Sequence, residues 1–316
     1  WFDPSREDGK RIPDEQQARA IVDKVRGRPA RVTGVKAEEK RELAPQLYDL
    51  TTLQREASGQ LGFSAERTLK TAQSLYEKRK LVTYPRTDSR YLSHDMGGSV
   101  EKALKNLPES YAALSASVLA GPIPRIKRVF DDTKLTDHHA IIPTMEMEKA
   151  DVGALPVGER NLFLLVCCKL LCAAAEPHVY ETVTAVFDCG GHSFTAKGKQ
   201  VLSQGWRAIQ EVFRSSLKEK PEDEDAEGIL PALTEGQVFE PVAASVTEHF
   251  TSPPKPYTED TLLSAMENAG KEDMPDEAER KGLGTPATRA AIIEKLVSGG
   301  FVERKGKNLI PTKACL

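Results

Sequence analysis

The chain has 316 residues, of which 39% are hydrophobic and 29% charged, and its formal net charge at pH 7 is −3. This length exceeds what one ordinary hydrophobic core organises, and the balance of residue types is that of a soluble protein, so two or three domains are expected. No apolar run reaches the roughly 18 residues of a membrane-spanning helix, and the first residues lack the features of a secretion signal, so neither is predicted.

The charges are unevenly distributed along the chain. Lys24–Arg41 contains seven Lys and Arg against two Glu, whereas Glu219–Glu227 is acidic. Because a block of like charge is usually a solvated surface, the basic segment alone does not establish a polyanionic partner.

The cysteines do not predict a zinc site. No pair has the C-x-x-C spacing of zinc ligands, and three of the five share one apolar helical pattern, where a free thiol behaves as a small buried hydrophobe. This usage fits a reducing, cytoplasmic setting. The five are Cys167, Cys168, Cys172, Cys189 and Cys315.

The first half of the chain is predicted to be largely helical. A helical pattern at 14–26 precedes an extended, alternating segment at 30–36. Residues 50–80 are helical again, and Ser64 is predicted to cap a helix within them. Residues 88–156 mix short helices with polar loops.

The middle of the chain begins with a core helix and continues as strands. Residues 159–176 are the most hydrophobic helix candidate, and they are too few for a bilayer, so they are predicted to be buried in a core. Segments rich in Val, Thr and Phe follow, with turns between them. They predict strands at 180–188, 193–197 and 238–248.

The C-terminal segment contains two helix-start signals. Thr258 is predicted to cap a helix that stops at Gly270, and Thr285, followed by proline, is predicted to begin another. Two short strands around Gly306 follow. A helix and then a hairpin make a winged-helix-like ending, which occurs in DNA-binding modules and in purely structural ones.

The stretch Lys80–Tyr91, KLVTYPRTDSRY, has the most distinctive chemistry. A free tyrosine phenol has a pKa of about 10 and needs help from cations to attack a phosphodiester at neutral pH. Tyr84 has a guanidinium two residues away, on Arg86, which can grip two phosphate oxygens, and Pro85 stiffens the backbone between them. Asp88 is predicted to accept a hydrogen bond from Arg86. On these residues alone, a nucleophile and a half-buried structural tyrosine both remain open.

A second polar motif, TDHHAIIPT at 136–144, contains adjacent histidines. Histidine titrates near neutrality, and it can contact a phosphate or shuttle a proton. Because neighbouring residues of a strand face opposite sides, one of His138 and His139 is predicted to be functional and the other structural.

Five stretches, in this order and over nearly the whole chain, resemble the type IA DNA topoisomerases, and the bacterial topoisomerase III branch in particular. Residues 47–77 resemble the helical segment before the active-site tyrosine, residues 81–92 the nucleophile motif with the proline of the topoisomerase III variant, and residues 137–144 the second active-site motif. Residues 253–270 and 282–296 resemble later helices that line a groove for single-stranded DNA.

The resemblance implies roles for individual residues. Tyr84 is expected to attack a DNA strand and hold the 5′-phosphate as a phosphotyrosine ester, Arg86 to bind the scissile phosphate, and His138 to contact a neighbouring nucleotide or phosphate. Because the ester stores the energy of the broken bond, rejoining would need no ATP, and a second strand would pass through the opened gate. Three further residues are expected to contact the substrate: Asp88, His139 and Thr288.

The resemblance also implies the architecture, a multidomain α+β fold that forms part of a torus. Residues 51–170 would be a helical gate domain that carries the tyrosine. Residues 27–50 and 171–245 would be a β-rich arch. Residues 1–26 and 246–316 would be a mostly helical base domain with the single-strand groove and the winged-helix-like element.

The family binds Mg²⁺ through an acidic cluster in a Toprim domain, and this sequence is expected to begin downstream of that domain. A D-x-D-x-E pattern does occur at 223–227, but no apolar strand precedes it to fix the carboxylates, so it is not interpreted as a metal site. No metal ligands are predicted in this chain. By itself it is expected to bind single-stranded DNA weakly and not to relax supercoiled DNA.

The expected partner is single-stranded or underwound DNA, and the chain is expected to be a monomer in the bacterial cytoplasm, associated with the nucleoid and not with a membrane. Two alternatives remain. A relaxase-type nuclease also uses a tyrosine and a histidine pair, but its histidines usually flank one apolar residue and share a metal with a third ligand. A non-catalytic scaffold for single-stranded nucleic acid would explain the winged-helix-like end but not the tyrosine motif.

Overall fold

The computed structural model describes residues 1–2, 12, 14–121, 128–135, 137–217, 228–240, 243–270 and 282–315. Contacts between residues divide the chain into two units. The first unit comprises Trp1–Glu42, Pro177–Gln204 and Glu222–Pro253, and the second comprises Leu43–Glu176, Gly205–Pro221 and Pro254–Leu316. Helices and antiparallel sheets occur together, which confirms the α+β class. The D-x-D-x-E pattern lies outside the described residues.

The first unit is built on a four-stranded antiparallel sheet, in the order β3-β2-β1-β4. Its strands are β1 (Ala30–Glu42), β2 (His178–Cys189), β3 (His192–Ser203) and β4 (Val238–Phe239). Helix α1 (Glu15–Val25) precedes β1, and the carboxylate of Asp14 caps it by accepting a hydrogen bond from the backbone N–H of Gln16 at 2.9 Å.

The β2–β3 hairpin turns on two glycines. Cys189 pairs with His192, and Gly190 and Gly191 between them have φ angles of 59° and 78°. Positive φ at both central residues is the requirement of the two-residue turn that matches the twist of a hairpin, and glycine meets it without steric strain. This turn fixes the register of the two long strands.

The apolar core of the first unit is small. Val25, Ala30 and Cys189 form its buried cluster. An apolar cavity of about 390 Å³ lies beside them, lined by aromatic and aliphatic side chains that include Phe187 and Leu230.

The second unit is mostly helical. Its helices are α2 (Leu50–Leu61), α3 (Ala65–Glu77), α4 (Gly97–Lys105), α5 (Ala112–Leu119), α6 (Val157–Ala174), α7 (Trp206–Ser216), α8 (Glu259–Asn268) and α9 (Pro286–Ser298). A small sheet in the order β5-β7-β6 completes it, with β5 (Tyr257–Thr258), β6 (Val302–Lys305) and β7 (Asn308–Pro311). The helix α9 and the β6–β7 hairpin form the predicted C-terminal ending.

Helix α6 is the centre of the second unit. Its side chains from Leu162 to Ala174 are buried almost without interruption, as the sequence predicts for a core helix. Among the described residues, no helix is both long enough and apolar enough to span a membrane.

The predicted helix caps are present. The hydroxyl of Ser64 accepts a hydrogen bond from the backbone N–H of Arg67 at 3.1 Å, at the start of α3. Thr258 caps α8 in a reciprocal arrangement with Thr261. Each cap satisfies backbone donors that would otherwise have no partner in the first turn.

The predicted strand at 238–248 is wrong for the described residues beyond Phe239. Strand β4 ends there, and residues 243–248 have no regular secondary structure. Residues 241 and 242 lie outside the described residues.

Helix α7 is not predicted from the sequence, although the sequence contains its signal. Trp206, Ile209 and Phe213 are spaced like the apolar face of an amphipathic helix, and all three are buried. They pack within the same apolar cluster as α6.

Candidate functional site

The tyrosine motif and the histidine motif lie side by side as short antiparallel segments of the second unit. The backbone N–H of Thr83 donates to the carbonyl oxygen of Ile142 at 3.0 Å, and that of Thr144 donates to Leu81 at 2.9 Å. The hydroxyl of Thr83 donates to the carbonyl oxygen of Ala140 at 3.0 Å. Residues far apart in the sequence are thus held in one register immediately before Tyr84.

A third segment joins both motifs. The carbonyl oxygen of Tyr48 accepts from the backbone N–H of Ile141 at 2.8 Å, and the backbone N–H of Leu50 donates to the carbonyl oxygen of Thr87 at 2.9 Å. The start of α2 is therefore tied to the chain on both sides of the candidate site.

Asp49, within that third segment, has two structural contacts. One carboxylate oxygen caps α2 by accepting from the backbone N–H of Thr52 at 2.6 Å, and the other accepts from Nε of Arg90 at 2.5 Å. A second nitrogen of Arg90 lies 3.5 Å from the carboxylate of Glu267 on α8. The end of the tyrosine motif is thereby fixed to two helices through one guanidinium.

Tyr84 is partly exposed and lies among aromatic rings. Its ring centroid is 4.3 Å from that of His138 and 5.5 Å from that of Tyr76, which meets it edge-on. His138 is exposed. The structure therefore brings the predicted nucleophile and the first histidine of the pair together.

His139 has a different environment from His138. It is partly buried, and its Nδ1 lies 2.8 Å from the carbonyl oxygen of Ala140, within hydrogen-bond distance. The adjacent backbone thus holds the ring of His139, whereas His138 faces Tyr84.

Arg86 is exposed, and a glutamine on α3 holds its guanidinium. With the Gln73 amide oriented for hydrogen bonding, its oxygen accepts from Nη2 of Arg86 at 2.8 Å and from Nε at 3.2 Å. This partner is neutral, so the guanidinium is oriented without losing its charge to a carboxylate.

Gln73 and Tyr76 are members of the site that are not predicted from the sequence. They are three residues apart on α3, so their side chains lie on the same helix face, and both contact the tyrosine motif. Two polar side chains with this spacing, on the helix that immediately precedes the tyrosine motif, form the sequence pattern from which they could have been predicted.

The remaining predicted contact residues, Asp88 and Thr288, are both exposed. Thr288 belongs to the cap of α9, where its hydroxyl accepts from the backbone N–H of Thr285 at 2.8 Å. The next residue, Arg289, is buried and donates to the hydroxyl of Thr51 at 3.0 Å. This arginine is not predicted from the sequence, and it connects α9 to α2.

The arrangement offers two capabilities that phosphate chemistry requires. Arg86 can bind phosphate oxygens, and a phenol that is accessible beside an imidazole can approach a bound phosphorus. In the described parts of the chain, no group of three or more His, Cys, Asp or Glu could hold a metal ion.

Comparison with known proteins gives consistent results. A family model described as DNA topoisomerase matches residues 2–316. The DNA topoisomerase 3 of Bacillus licheniformis is 41% identical over 296 residues, which are 91% of this chain and 40% of that protein. The DNA topoisomerase 3 of Bacillus subtilis is 39% identical over 300 residues, which are 92% of this chain and 41% of that protein. The chain thus spans about two fifths of the length of these curated relatives.

A solved structure has the same fold. Full-length topoisomerase I from Thermotoga maritima matches with a TM-score of 0.68 and 24% sequence identity, over 98% of this chain and 46% of that one. The family model and the relatives at about 40% identity cover nearly the whole chain, motifs included. The chain therefore belongs to the type IA DNA topoisomerase family, in its bacterial topoisomerase III branch.

Proposed function

We propose that Tyr84 is the nucleophile of an ATP-independent DNA topoisomerase reaction. The phenol oxygen attacks a backbone phosphorus of one DNA strand, and the new oxygen–phosphorus bond replaces the bond between phosphorus and the 3′-oxygen. The phenol loses its proton, the released 3′-oxygen gains one, and the 5′-phosphate stays on Tyr84. Rejoining is the reverse attack by the 3′-hydroxyl, and it needs no ATP because each step exchanges one phosphodiester for another.

The observation that carries this proposal is the position of the Tyr84 ring. The ring is partly exposed, and its centroid lies 4.3 Å from that of His138. Arg86, two residues after Tyr84 in the chain, has a guanidinium that Gln73 holds. Between cleavage and rejoining, a second strand passes through the break.

The other site residues are assigned supporting roles. Arg86 binds the scissile phosphate and offsets the charge that develops on it, and His138 contacts a neighbouring phosphate or nucleotide. Three residues are assigned substrate contacts outside the reacting centre: Asp88, His139 and Thr288. Because the hydroxyl of Thr288 also serves the cap of α9, a DNA contact there would be shared with a structural bond.

The substrate that we propose is single-stranded or underwound DNA, bound by a monomer at the bacterial nucleoid. The complete enzymes of the family are expected to use Mg²⁺, and the described residues offer no cluster that fits this ion, so each step above is assigned to side chains alone. The division into a gate (51–170), an arch (27–50 and 171–245) and a base (1–26 and 246–316) is part of the same proposal.

Covalent trapping tests the nucleophile. The complete gene product that carries this chain is mixed with a single-stranded oligonucleotide labelled at its 3′ end and then denatured. We expect labelled protein, and the label should map to Tyr84. Tyr84→Phe should reduce the adduct to background, because the phenol oxygen is gone while the ring remains.

Tyr76→Phe is the matched control, since it removes the hydroxyl of the neighbouring ring in the same cluster. It should keep the adduct. An adduct that persists in Tyr84→Phe would overturn the assignment. DNA binding without an adduct in any variant would instead support the non-catalytic scaffold.

A further inference from the structure

One face of the sheet in the first unit has an unusual charge. In an antiparallel ladder, residues that pair across strands lie on the same face. Three successive rungs on this face are Lys36–Thr184–Lys197, Glu38–Thr182–Lys199 and Lys40–Tyr180–Val201. We call these nine residues the lysine face. It contains four lysines and one glutamate, in a chain whose overall net charge is −3.

The opposite face of the same strands is covered in part, at β2 and β3. Ala185 and Gly198 lie on it, and both are buried. A Cβ atom added to Gly198 would lie 2.8 Å from Cγ of Leu230, so the chain at 228–230 packs directly on that side. The four lysines of the lysine face are accessible to solvent, with Lys36, Lys40 and Lys197 exposed and Lys199 partly exposed.

Among the described residues, the positive charge of the lysine face is only weakly compensated. Nζ of Lys36 is 4.0 Å from the carboxylate of Glu38, and the side chains are 80% and 54% exposed, so this ion pair is weak. Nζ of Lys199 lies 4.3 Å from the ring centroid of Tyr180, a contact that orients the ammonium without neutralising it.

The spacing of the lysines suits an extended polyanion. Residues two and four apart along a strand are separated by about 7 and 14 Å, and strands two apart by about 10 Å. Lys36 and Lys197 therefore lie on opposite sides of β2, and Lys40 lies about 14 Å along β1 from Lys36. A flat grid of this size can meet several phosphates on one side of a DNA duplex, which carries about one charge per 1.7 Å of axis.

The side chains favour duplex over single-stranded DNA. Proteins that bind single strands stack the bases on exposed aromatic rings, and the one aromatic ring of this face, Tyr180, is already occupied by Lys199. Base edges are read mainly by Arg, Lys, Asn and Gln, and of these the lysine face has only lysine, whose ammonium group also contacts phosphates. The remaining chemistry is phosphate contact by ammonium groups, with threonine hydroxyls between them.

We propose that the lysine face binds the phosphate backbone of duplex DNA without sequence preference. It is a second DNA-contact surface, in the first unit, whereas Tyr84 belongs to the second. The inference goes beyond the proposed function, because this surface holds DNA and takes no part in breaking a strand.

The test measures the binding of this chain to a fluorescent duplex of about 20 base pairs by anisotropy, over a series of salt concentrations. The test variant replaces the four lysines of the face by glutamine, and the control variant removes the same charge from four exposed lysines elsewhere. The test sites are Lys36, Lys40, Lys197 and Lys199. The control sites are Lys24, Lys102, Lys105 and Lys149.

Each phosphate contact contributes about −0.9 to the slope of log K against log salt. For the test variant, we expect the magnitude of this slope to be smaller by about 2 to 4. We also expect the variant to bind the duplex at least about tenfold more weakly than the wild type at low salt. The control variant should match the wild type within about twofold. Circular dichroism should show that both variants remain folded, as surface substitutions allow.

Two results would overturn the proposal: equal duplex binding by the test and control variants, or a loss confined to single-stranded DNA. Failure here is distinguishable from failure of the proposed function. If the wild type forms the Tyr84 adduct but the test variant binds duplex DNA as well as the wild type does, only the proposal about the lysine face is refuted. If the test variant binds duplex DNA more weakly but the wild type forms no adduct, only the proposed function of Tyr84 is refuted.

Discussion

At the scale of single residues, the candidate site combines a charged group with a neutral support. The amide oxygen of Gln73 accepts two hydrogen bonds from Arg86, and so sets the direction of the guanidinium. A carboxylate in the same place would form a stronger pair but would compete with a phosphate for the same donors. A neutral partner keeps the charge available for the substrate.

This argument predicts the effect of Gln73→Glu. The new carboxylate would form an ion pair with Arg86. An exposed ion pair contributes about 1 kcal/mol, which corresponds to roughly fivefold weaker binding of a phosphate by Arg86. We expect covalent adduct formation by the complete gene product to slow by about fivefold at subsaturating DNA, measured in single-turnover trapping.

Gln73→Met is the control for that measurement, because it removes the hydrogen bonds without adding a charge. It should slow the adduct less than Gln73→Glu does. Equal rates for Gln73→Glu and the wild type would show that Gln73 does not act through the charge of Arg86.

At the scale of elements, helix α6 carries one charge into the core of the second unit. The Lys169 side chain is 5% exposed and pairs with Glu56 on α2, whose side chain is 26% exposed. The hydroxyl of Tyr48 donates to the same carboxylate at 2.5 Å. Burial, and then the Glu56 carboxylate, raise the pKa of Tyr48 well above its usual value, so that phenol stays a neutral donor. The cluster joins α2, α6 and the segment that precedes Asp49.

Lys169→Met tests this cluster. The substitution leaves Glu56 with no ammonium partner in a largely buried place, and breaking a buried pair costs about 3 to 5 kcal/mol. Because Glu56 is a quarter exposed, we expect a smaller loss of about 2 to 3 kcal/mol in the free energy of unfolding, measured with urea.

The double variant Lys169→Met with Glu56→Gln removes both charges and should recover part of that loss. If the two single substitutions were simply additive, the ion pair would not be the cause. Tyr48→Phe, which removes the other hydrogen bond to Glu56, should be the mildest of the series.

At the scale of the whole molecule, the two units differ in how much apolar surface each buries. Among the residues that the structure describes, the main cluster of the second unit contains 36 buried residues, whereas the cluster of the first unit contains three and adjoins the cavity of about 390 Å³. Because burial of apolar area is the main source of stability, the two units are expected to open at different free energies.

The native cysteines report on this difference. Cys189 lies in the core of the first unit, and Cys167 and Cys172 lie on α6 of the second. Burial raises the pKa of all three thiols, so each becomes reactive only when its surroundings open. Pulsed alkylation in increasing urea, read by mass spectrometry, should modify Cys189 at a lower urea concentration than Cys167 and Cys172.

Cys315 is the internal control for that experiment, because it is exposed and should react without urea. Simultaneous labelling of Cys167, Cys172 and Cys189 would show that the chain unfolds as one cooperative unit. Earlier labelling of α6 would contradict the ranking of the two cores.

The sequence by itself determined the features that depend on near neighbours. The caps at Ser64 and Thr258 follow from hydrogen bonds that span three residues, and the burial of α6 follows from its continuous apolar composition. The family also followed from the sequence, because its motifs are short, contiguous and ordered along the chain.

The tertiary structure alone decided what depends on residues distant in sequence. Which histidine meets Tyr84 is set by the register between two segments about 55 residues apart, and the partner of Arg86 comes from the preceding helix across a turn. The lysine face likewise exists only after β1, β2 and β3 pair in one register, because a shift of one residue would turn its lysines to the other side. Local patterns fix the elements, and long-range pairing fixes which side chains share a surface.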